Sequence, residues 1–402
     1  MKYKAFKYRI YPTKKQQELI NKHIGCCRFI YNLCLEKKIN AYKESKKSIS
    51  CFELMKLLTT LKKEKEMSFL NEVSNESLRY AIINLDSAYQ KFFKEHKGFP
   101  KFKSKRNAID SFKAEQKTKV DFDKNKVYIT KFREGIKCKF HRFFDGKIKT
   151  STISRTSTGK YYISILVELD EDNPSKKPID KSKAVGIDLG IKDLVITSDG
   201  KKYSSNKFIK RYSKALAEAQ RHLSRKKKGS NSWNRQRIKV ARIYEKIHNC
   251  RFDKLHKITT DLVKNYDVIC CEDLNVKGME KNHHLAKSIS DASLGLFVTM
   301  LSYKAEWNGK QVVKIGRYYP SSKTCHCCGW VKEDLQLKDR EWTCPHCGNM
   351  LDRDVNAAIN ILQEGLRNIS AGTVDYTDGA DVRPFQGQSA MKSEAHKSSV
   401  CG

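Results

Sequence analysis

Apolar or aromatic residues alternate with lysine and arginine from Tyr3 to Ile10 in "YKAFKYRIYP", the two-residue period of a half-exposed strand that Pro12 ends. Thr13 then stands as a helix cap. Beyond it the period lengthens. Apolar residues return every three or four positions, with Leu78, Ala81, Ile82, Leu85, Ala88 and Phe92 as the clearest run, and predict a helical unit over residues 13–96. "GFPKFKSKRN" (Gly98 to Asn107) breaks that pattern with glycine and proline. From Ser111 to Leu169 short runs of two-residue period return, with turn signals at "DKNK" and "STGK", and predict a small antiparallel barrel. On this reading the strand before Pro12 completes the barrel and the helical unit is an insertion in it. The polar stretch Asp170 to Lys183, with two prolines, reads as a linker.

After the linker the pattern predicts a meander of three strands: Ala184 to Leu189, Asp193 to Thr197, and a third beyond the turn "SDG". A basic helical stretch runs from Lys207 to Lys264, interrupted at "KKKGSNSWN". It is followed by a strand in "YDVICCEDLN", a helix near Asp291 to Trp307, the strand "KQVVKI" and a final helix in "LDRDVNAAINIL". The order βββ-α-β-α-β-α is that of a mixed sheet with helices on its faces. The chain's last segment, rich in Gly, Ser, Thr and Asp and poor in aliphatics, predicts a disordered tail.

Charge narrows the partner. Eighty basic against forty-five acidic residues leave a formal charge of +35, which points to a polyanion and above all to nucleic acid. Two stretches concentrate that charge. Phe99 and Phe102 lie among Lys103, Lys105 and Arg106, a surface suited to backbone binding and base stacking, or else a solvated turn whose phenylalanines tuck under a neighbour. Lys226, Lys227, Lys228, Arg235 and Arg237 could grip a nucleic-acid strand, or form a solvated helix face. No window approaches the run of about 18 apolar residues that a membrane span needs, and the first residues lack the apolar core of a signal peptide. The 14 cysteines are dispersed, some adjacent, which suits a reducing interior and not a disulfide scaffold. A soluble, intracellular protein is expected.

Three carboxylates stand where a globular pattern does not want them. Asp188 sits in the apolar strand "AVGIDLGI", where its charge is costly unless a divalent cation or a capping hydrogen bond compensates it. Glu272 ends the apolar strand of "YDVICCEDLN", and Asp273, on the opposite face, reads as the residue that turns the chain. In the last helix Val355, Ala358, Ile359 and Leu362 mark the buried stripe and place Asp354 in the first turn beside it. Asp352 lies outside, as a cap or a partner of Arg353. Carboxylates from two strand ends and a helix start can converge on two Mg²⁺ ions about 4 Å apart, the arrangement that hydrolyses phosphodiesters. Cys325, Cys328, Cys344 and Cys347 form two Cys-x-x-Cys-Gly knuckles, a closed tetrahedral site for structural Zn²⁺. His326, Cys327 and His346 break the matched spacing and are read as spectators.

With these residues assembled, the chain closely resembles TnpB, the transposon-encoded RNA-guided endonucleases related to type V CRISPR effectors. The likeness rests on "GIDLG", "CCEDLN", the two knuckles and "DRDVNAAINIL", together with "FKYRIYPTKKQ", "RFIYNLCLE", "GFPKFKSK" and "YYPSSKTCHCCG". It implies a multidomain α+β chain. An antiparallel wedge β-barrel (1–12 plus 97–175) is interrupted by a helical recognition domain (13–96). An RNase H-like RuvC nuclease domain (176–319 plus 350–366) follows, with an inserted zinc ribbon (320–349) and a tail (367–402). It implies Asp188, Glu272 and Asp354 as catalytic ligands of Mg²⁺, with Mn²⁺ as an alternative ion. The implied partners are a noncoding guide RNA copied from the transposon end and a double-stranded DNA target beside a short motif, both strands being cut at one site. A monomer in a ribonucleoprotein complex in a prokaryotic cytoplasm is the implied state. An RNA-guided repressor would be marked by loss of a carboxylate, and none is lost. A DNA-joining transposase on the same fold would need end-binding and synapsis elements that the sequence does not display.

Overall fold

A computed structural model describes residues 2–105, 110–114, 117–172, 174–175, 180–205, 207–279, 286–336 and 338–372. They form two compact units that divide between Glu171 and Asp172. In the first, strand β1 (Lys2–Tyr11) leads to Thr13, which caps helix α1 (Lys14–Ser45) reciprocally with Gln16: Thr13 N donates to Gln16 Oε1 at 3.0 Å and Gln16 N to Thr13 Oγ1 at 3.4 Å. Ser50 and Glu53 repeat the device at α2 (Cys51–Leu61). A 3₁₀ turn (Lys65–Glu72) and α3 (Asn75–Lys94) complete the helical segment. Leu78, Ala81, Ile82 and Leu85 are buried as their spacing predicts, whereas Ala88 and Phe92, nearer the helix end, are half-buried.

Six further strands follow: β2 (Ser111–Ala114), β3 (Lys119–Asp121), β4 (Lys126–Ile129), β5 (Phe132–Lys139), β6 (Lys147–Arg155) and β7 (Tyr161–Leu169). The sheet order is β2-β6-β7-β1-β5-β4-β3. Strand β1 therefore lies inside the sheet, antiparallel to β7 over Lys2–Ile10 and to β5 over Arg9–Tyr11, and the helices are inserted between β1 and β2. The two-residue period explains the register. Tyr8 and Ile10 point into the core with Ile153, Ile163 and Ile165, and the Tyr8 hydroxyl donates to Arg142 O at 2.9 Å.

The second unit opens with the meander β8 (Ala184–Asp188), β9 (Asp193–Thr197) and β10 (Lys202–Ser204). Helices α4 (Phe208–Ser224) and α5 (Asn231–Asn265) follow; Ser230 caps α5, so the break between them is shorter than its glycine and serines suggest and Trp233 is already helical. After β11 (Val268–Glu272) come α6 (Val276–Met279) and α7 (Ala286–Ala292). Ser293, in the left-handed region, separates α7 from α8 (Leu294–Trp307), dividing the helix expected from Asp291 onward. Strand β12 (Gln311–Ile315), a small hairpin of β13 (Glu341–Thr343) and β14 (Met350–Asp352), and helix α9 (Arg353–Ser370) complete the unit. Helix α9 runs past residue 366, where the sequence placed the tail, and residues 373–402 lie outside the described residues.

The five-stranded sheet has the order β10-β9-β8-β11-β12, with β8, β11 and β12 parallel and the meander antiparallel. Val185, Ile187, Ile269 and Cys271 face Leu255, Ile258, Leu262 and Phe297 of α5 and α8. On the other face Val268, Cys270, Val313 and Ile315 pack against Ile361 of α9. Two glycines set how closely α9 lies. A Cβ on Gly186 would run into Ala358 O and come within 2.7 Å of Leu362 N; one on Gly365 would meet the Cys270 side chain, 2.8 Å from its Cβ. Among the described residues no helix is long and apolar enough to cross a membrane.

Candidate active site and metal centre

Strands β8 and β11 run parallel with Ile187 opposite Cys271, so Asp188 and Glu272 end neighbouring strands at the same edge, about 4.8 Å apart along the sheet. Alternation puts Gly186 and Asp188, and likewise Cys270 and Glu272, on the face that α9 covers. Because Gly365 crosses Cys270 and Ala358 crosses Gly186, the next turn towards the helix start brings Asp354 to Asp188. The electrostatics register this approach, although among the described residues the four cysteines, and not these three carboxylates, stand close enough together to hold an ion as they are. Burial, then the charges of Glu272 and Asp354, push the Asp188 carboxyl up to about 7, against a smaller opposing effect of Arg353.

Each acid has a different neighbourhood. Glu272 Oε1 accepts from Ser321 Oγ at 2.6 Å. Asp354 is half-buried between two guanidiniums: Arg353 reaches Oδ1 through Nη2 at 3.1 Å and Nε at 3.2 Å, and Arg340 Nη1 reaches Oδ2 at 3.1 Å. Asp352 is the cap of α9, accepting from Asp354 N and Val355 N at 3.0 Å each. Its ion-pair partner is Lys202, at 2.6 Å, and Arg353 pairs with Asp354. Asp273 turns away to Arg317 and Lys314.

The four Sγ atoms of Cys325, Cys328, Cys344 and Cys347 lie within 4.8 Å of one another, with Cys325–Cys347 at 3.7 Å and Cys328–Cys344 at 3.6 Å. Tetrahedral Zn²⁺ with Zn–S bonds of about 2.3 Å requires sulfur separations of about 3.8 Å, so the cluster fits that ion. Gly329 (φ +77) and Gly348 (φ +72) adopt the left-handed turns that close each knuckle. Burial opposes the Cys344 thiolate, but the amides of Cys347 and His346 and the adjacent thiols outweigh it and hold the thiol below its ordinary value. His326 turns from the cluster: its backbone N–H donates to Asn356 Oδ1 at 3.0 Å and its Nδ1 lies 2.9 Å from the same oxygen.

That contact is part of a seam that sequence reasoning missed. Asn356 Nδ2 donates to Thr324 O at 2.7 Å, and Asn360 Nδ2 to Thr324 O at 2.6 Å and Ser321 O at 2.8 Å. Both asparagines are buried, so the covered face of α9 is Asn356, Ala357, Ala358, Asn360, Ile361 and Gly365, while Val355, Ile359 and Leu362 are half-buried. Their spacing of four, inside an otherwise small-residue face, was the available signal. Arg353, read as a possible partner of Asp352, is on Asp354, and Arg340 and Ser321 carried no local signal of these contacts.

The basic stretches fare unevenly. Phe99 packs edge-on against Tyr89 and Phe92 at 5.6 and 5.4 Å, and Lys103 holds its ammonium 3.8 Å from the Tyr31 ring centroid while Asn32 binds its backbone at 2.8 and 2.9 Å. Phe102 and Lys105 are exposed, and Arg106 lies outside the described residues. Lys227, Lys228 and Arg235 are exposed, Lys226 and Arg237 half-buried, and all five are without an ion pair among the described residues.

Fold and site together define a class: mixed α/β chains with the fold of compact type V effectors, carrying a cysteine cluster between β12, the last strand of the five-stranded sheet, and the last helix. The Cas12f1–sgRNA–target DNA complex, solved by cryo-EM, aligns with a TM-score of 0.52 at 14% identity, covering 87% of this chain and 83% of its own. Residues 164–283 match OrfB_IS605, described as "Probable transposase", and residues 295–361 match "Cas12f1-like, TNB domain". Residues 1–47 match "Helix-turn-helix domain", although here they fold as β1 and one continuous helix, with α2 starting only at Cys51. A Streptomyces pristinaespiralis protein named "Putative RNA-guided DNA endonuclease" is 37% identical over 99% of this chain and 97% of its own. The similarly named InsQ of Escherichia coli K12 is 31% identical over 92% and 94%. The chain belongs to the TnpB family, the OrfB_IS605 proteins.

Proposed function

We propose that this chain is an RNA-guided DNA endonuclease whose nuclease site is Asp188, Glu272 and Asp354. The observation that carries the reading is the meeting of three carboxylates from distant parts of the chain, with Asp188 driven to about 7 by burial and by the other two. Arg340 and Arg353 offset the charge at Asp354 but leave Asp188 raised, and the all-oxygen donors of the three acids suit Mg²⁺, or Mn²⁺ in its place. A divalent pair held there would supply neutralisation of the scissile phosphate and a more acidic water. The chain's own groups do the rest. Asp188 and Glu272 present carboxylates from neighbouring rigid strands, and Asp354 adds the third from α9, whose first turn Asp352 holds. The guanidiniums of Arg340 and Arg353, now on Asp354, are placed to meet the charge of an incoming phosphodiester.

The charge of +35 and the names of the relatives support a guide RNA and double-stranded DNA as partners. Base pairing would then select the target while the protein reads a short flanking motif. On this reading the seven-stranded sheet is the wedge barrel and α1 to α3 its recognition insertion. The five-stranded sheet with its helices is the RuvC domain, cutting both strands, and the cysteine segment is a zinc ribbon. A DNA target and the bacterial origin of the relatives support a prokaryotic cytoplasm. The test is to sequence the RNA that co-purifies with the chain, supply a plasmid matching its variable end, and compare the wild-type complex with Asp188→Ala. Nicking and cutting should fall at least about a hundredfold. Survival of both in the variant would show that the nuclease assignment is wrong.

A further inference from the structure

We infer that Ser321 is a positioning residue for the nuclease site: its hydroxyl sets the orientation of Glu272, and α9 in turn sets Ser321. The inference rests on Glu272 being a cation ligand, as proposed above. Ser321 is buried, and among the described residues it is the one hydrogen-bond donor on the Glu272 carboxylate, at 2.6 Å. That is the length of a charge-assisted O–H···O⁻ bond. A glutamate at a strand end has three side-chain torsions to fix, and without this bond it would sample rotamers directed away from Asp188. The bond engages Oε1 and leaves Oε2 without a hydrogen-bond donor among the described residues.

The serine's backbone is itself held on both sides. Ser321 N donates to Tyr319 O at 2.8 Å, and Ser321 O accepts from Asn360 Nδ2 at 2.8 Å. Three residues on, Thr324 O accepts from Asn356 and Asn360 together, at 2.7 and 2.6 Å, immediately before the first zinc cysteine. The helix that carries Asp354 thus fixes, through two buried asparagines, the hydroxyl that orients Glu272. A buried asparagine with unmet hydrogen bonds is costly, so this seam resists slippage. Groups that orient a metal's ligands typically change affinity or activity ten- to a hundredfold when removed.

The experiment uses Ser321→Ala, Glu272→Gln and the double variant in the full-length chain. Mn²⁺ is titrated into each RNA-free protein, and free Mn²⁺ is read by electron paramagnetic resonance. Ser321→Ala should weaken Mn²⁺ binding about tenfold, and should add nothing once Glu272 is Gln. In the ribonucleoprotein complex the half-saturating Mg²⁺ for cleavage should rise by a similar factor, with target binding and zinc content unchanged. Wild-type Mn²⁺ affinity in Ser321→Ala, or an equal loss in the Glu272→Gln background, would overturn the inference. So would a loss of cleavage that added Mg²⁺ does not restore and that accompanies loss of zinc. If the wild-type complex does not cleave at all, the nuclease reading fails, and the Mn²⁺ titration still decides the role of Ser321.

Discussion

The second unit holds two clusters built in opposite ways. The cysteine cluster is local: four thiols from residues 325–347, two tight glycine turns, and sulfur separations of 3.6 and 3.7 Å that match a tetrahedral ion. The carboxylate cluster is topological. Its members come from residues 188, 272 and 354 and meet only because two strands pair in parallel register and a helix is packed against them at Gly186 and Gly365. A local cluster depends on its own turns. A topological one depends on everything that sets register and approach, so substitutions far from the acids can dismantle it.

The largest effect expected from that difference is at Gly186. A methyl group there meets the backbone of α9 at Ala358 and Leu362, and neither atom can swing aside as a side chain would. Gly186→Ala should displace the helix start, cost about 1–3 kcal/mol of stability and lower cleavage about a hundredfold, since a shift of about 1 Å suffices for that. Zinc content should stay at the wild-type level. Urea unfolding, metal analysis and plasmid cleavage on one preparation would check this, and wild-type cleavage would show that close approach of α9 does not organise the acids.

Cys344→Ser probes the comparison from the other side, with a smaller expected effect. Losing one of four thiolates should cost most of the bound zinc. If the clusters were independent, cleavage would stay whole. The seam of Asn356 and Asn360 on Ser321, Thr324 and His326 argues otherwise, because the cysteine segment is tied to the helix that carries Asp354. A roughly tenfold fall in cleavage is expected, to be read beside zinc stoichiometry. Full activity in a zinc-free protein would break the tie.

The same contrast explains what the chain's sequence disclosed. The knuckles were legible whole, because spacing and glycine are local facts. So were most of the strands, though not the short hairpin of β13 and β14, down to β1 as a member of a sheet interrupted by helices, because a two-residue period survives translation into structure. The covered face of α9 was misjudged at its edges, since Asn356 and Asn360 count as polar in any periodicity and are buried only because carbonyls of a distant loop await them. Ser321 on Glu272 and Arg340 on Asp354 were invisible for the same reason. In "GFPKFKSK", composition left open a nucleic-acid surface or a turn with tucked phenylalanines; Phe99 and Lys103 have partners on other elements, Tyr89, Phe92 and Tyr31, while Phe99 stays 46% exposed and Phe102 and Lys105 are exposed.

The smallest expected effect separates the two aspartates at the start of α9. Asp352 accepts two backbone N–H bonds as the cap, and its pair with Lys202 is half-exposed and contributes little. Asp352→Ala should therefore cost about 1 kcal/mol, the usual loss of an N-cap, and fray the first turn of the helix. Asp354 sits in that turn, so cleavage should fall, but by less than about tenfold, because Gly186, Gly365 and the asparagine seam still hold the helix body. Asp352→Asn, which keeps an accepting oxygen, should recover most of the stability. Asp354→Ala makes the contrast: it removes a member of the cluster and should abolish cutting while leaving the cap intact. Equal losses in Asp352→Ala and Asp354→Ala, at equal folding stability, would mean that Asp352 belongs to the cation site and that the division between cap and ligand is drawn in the wrong place.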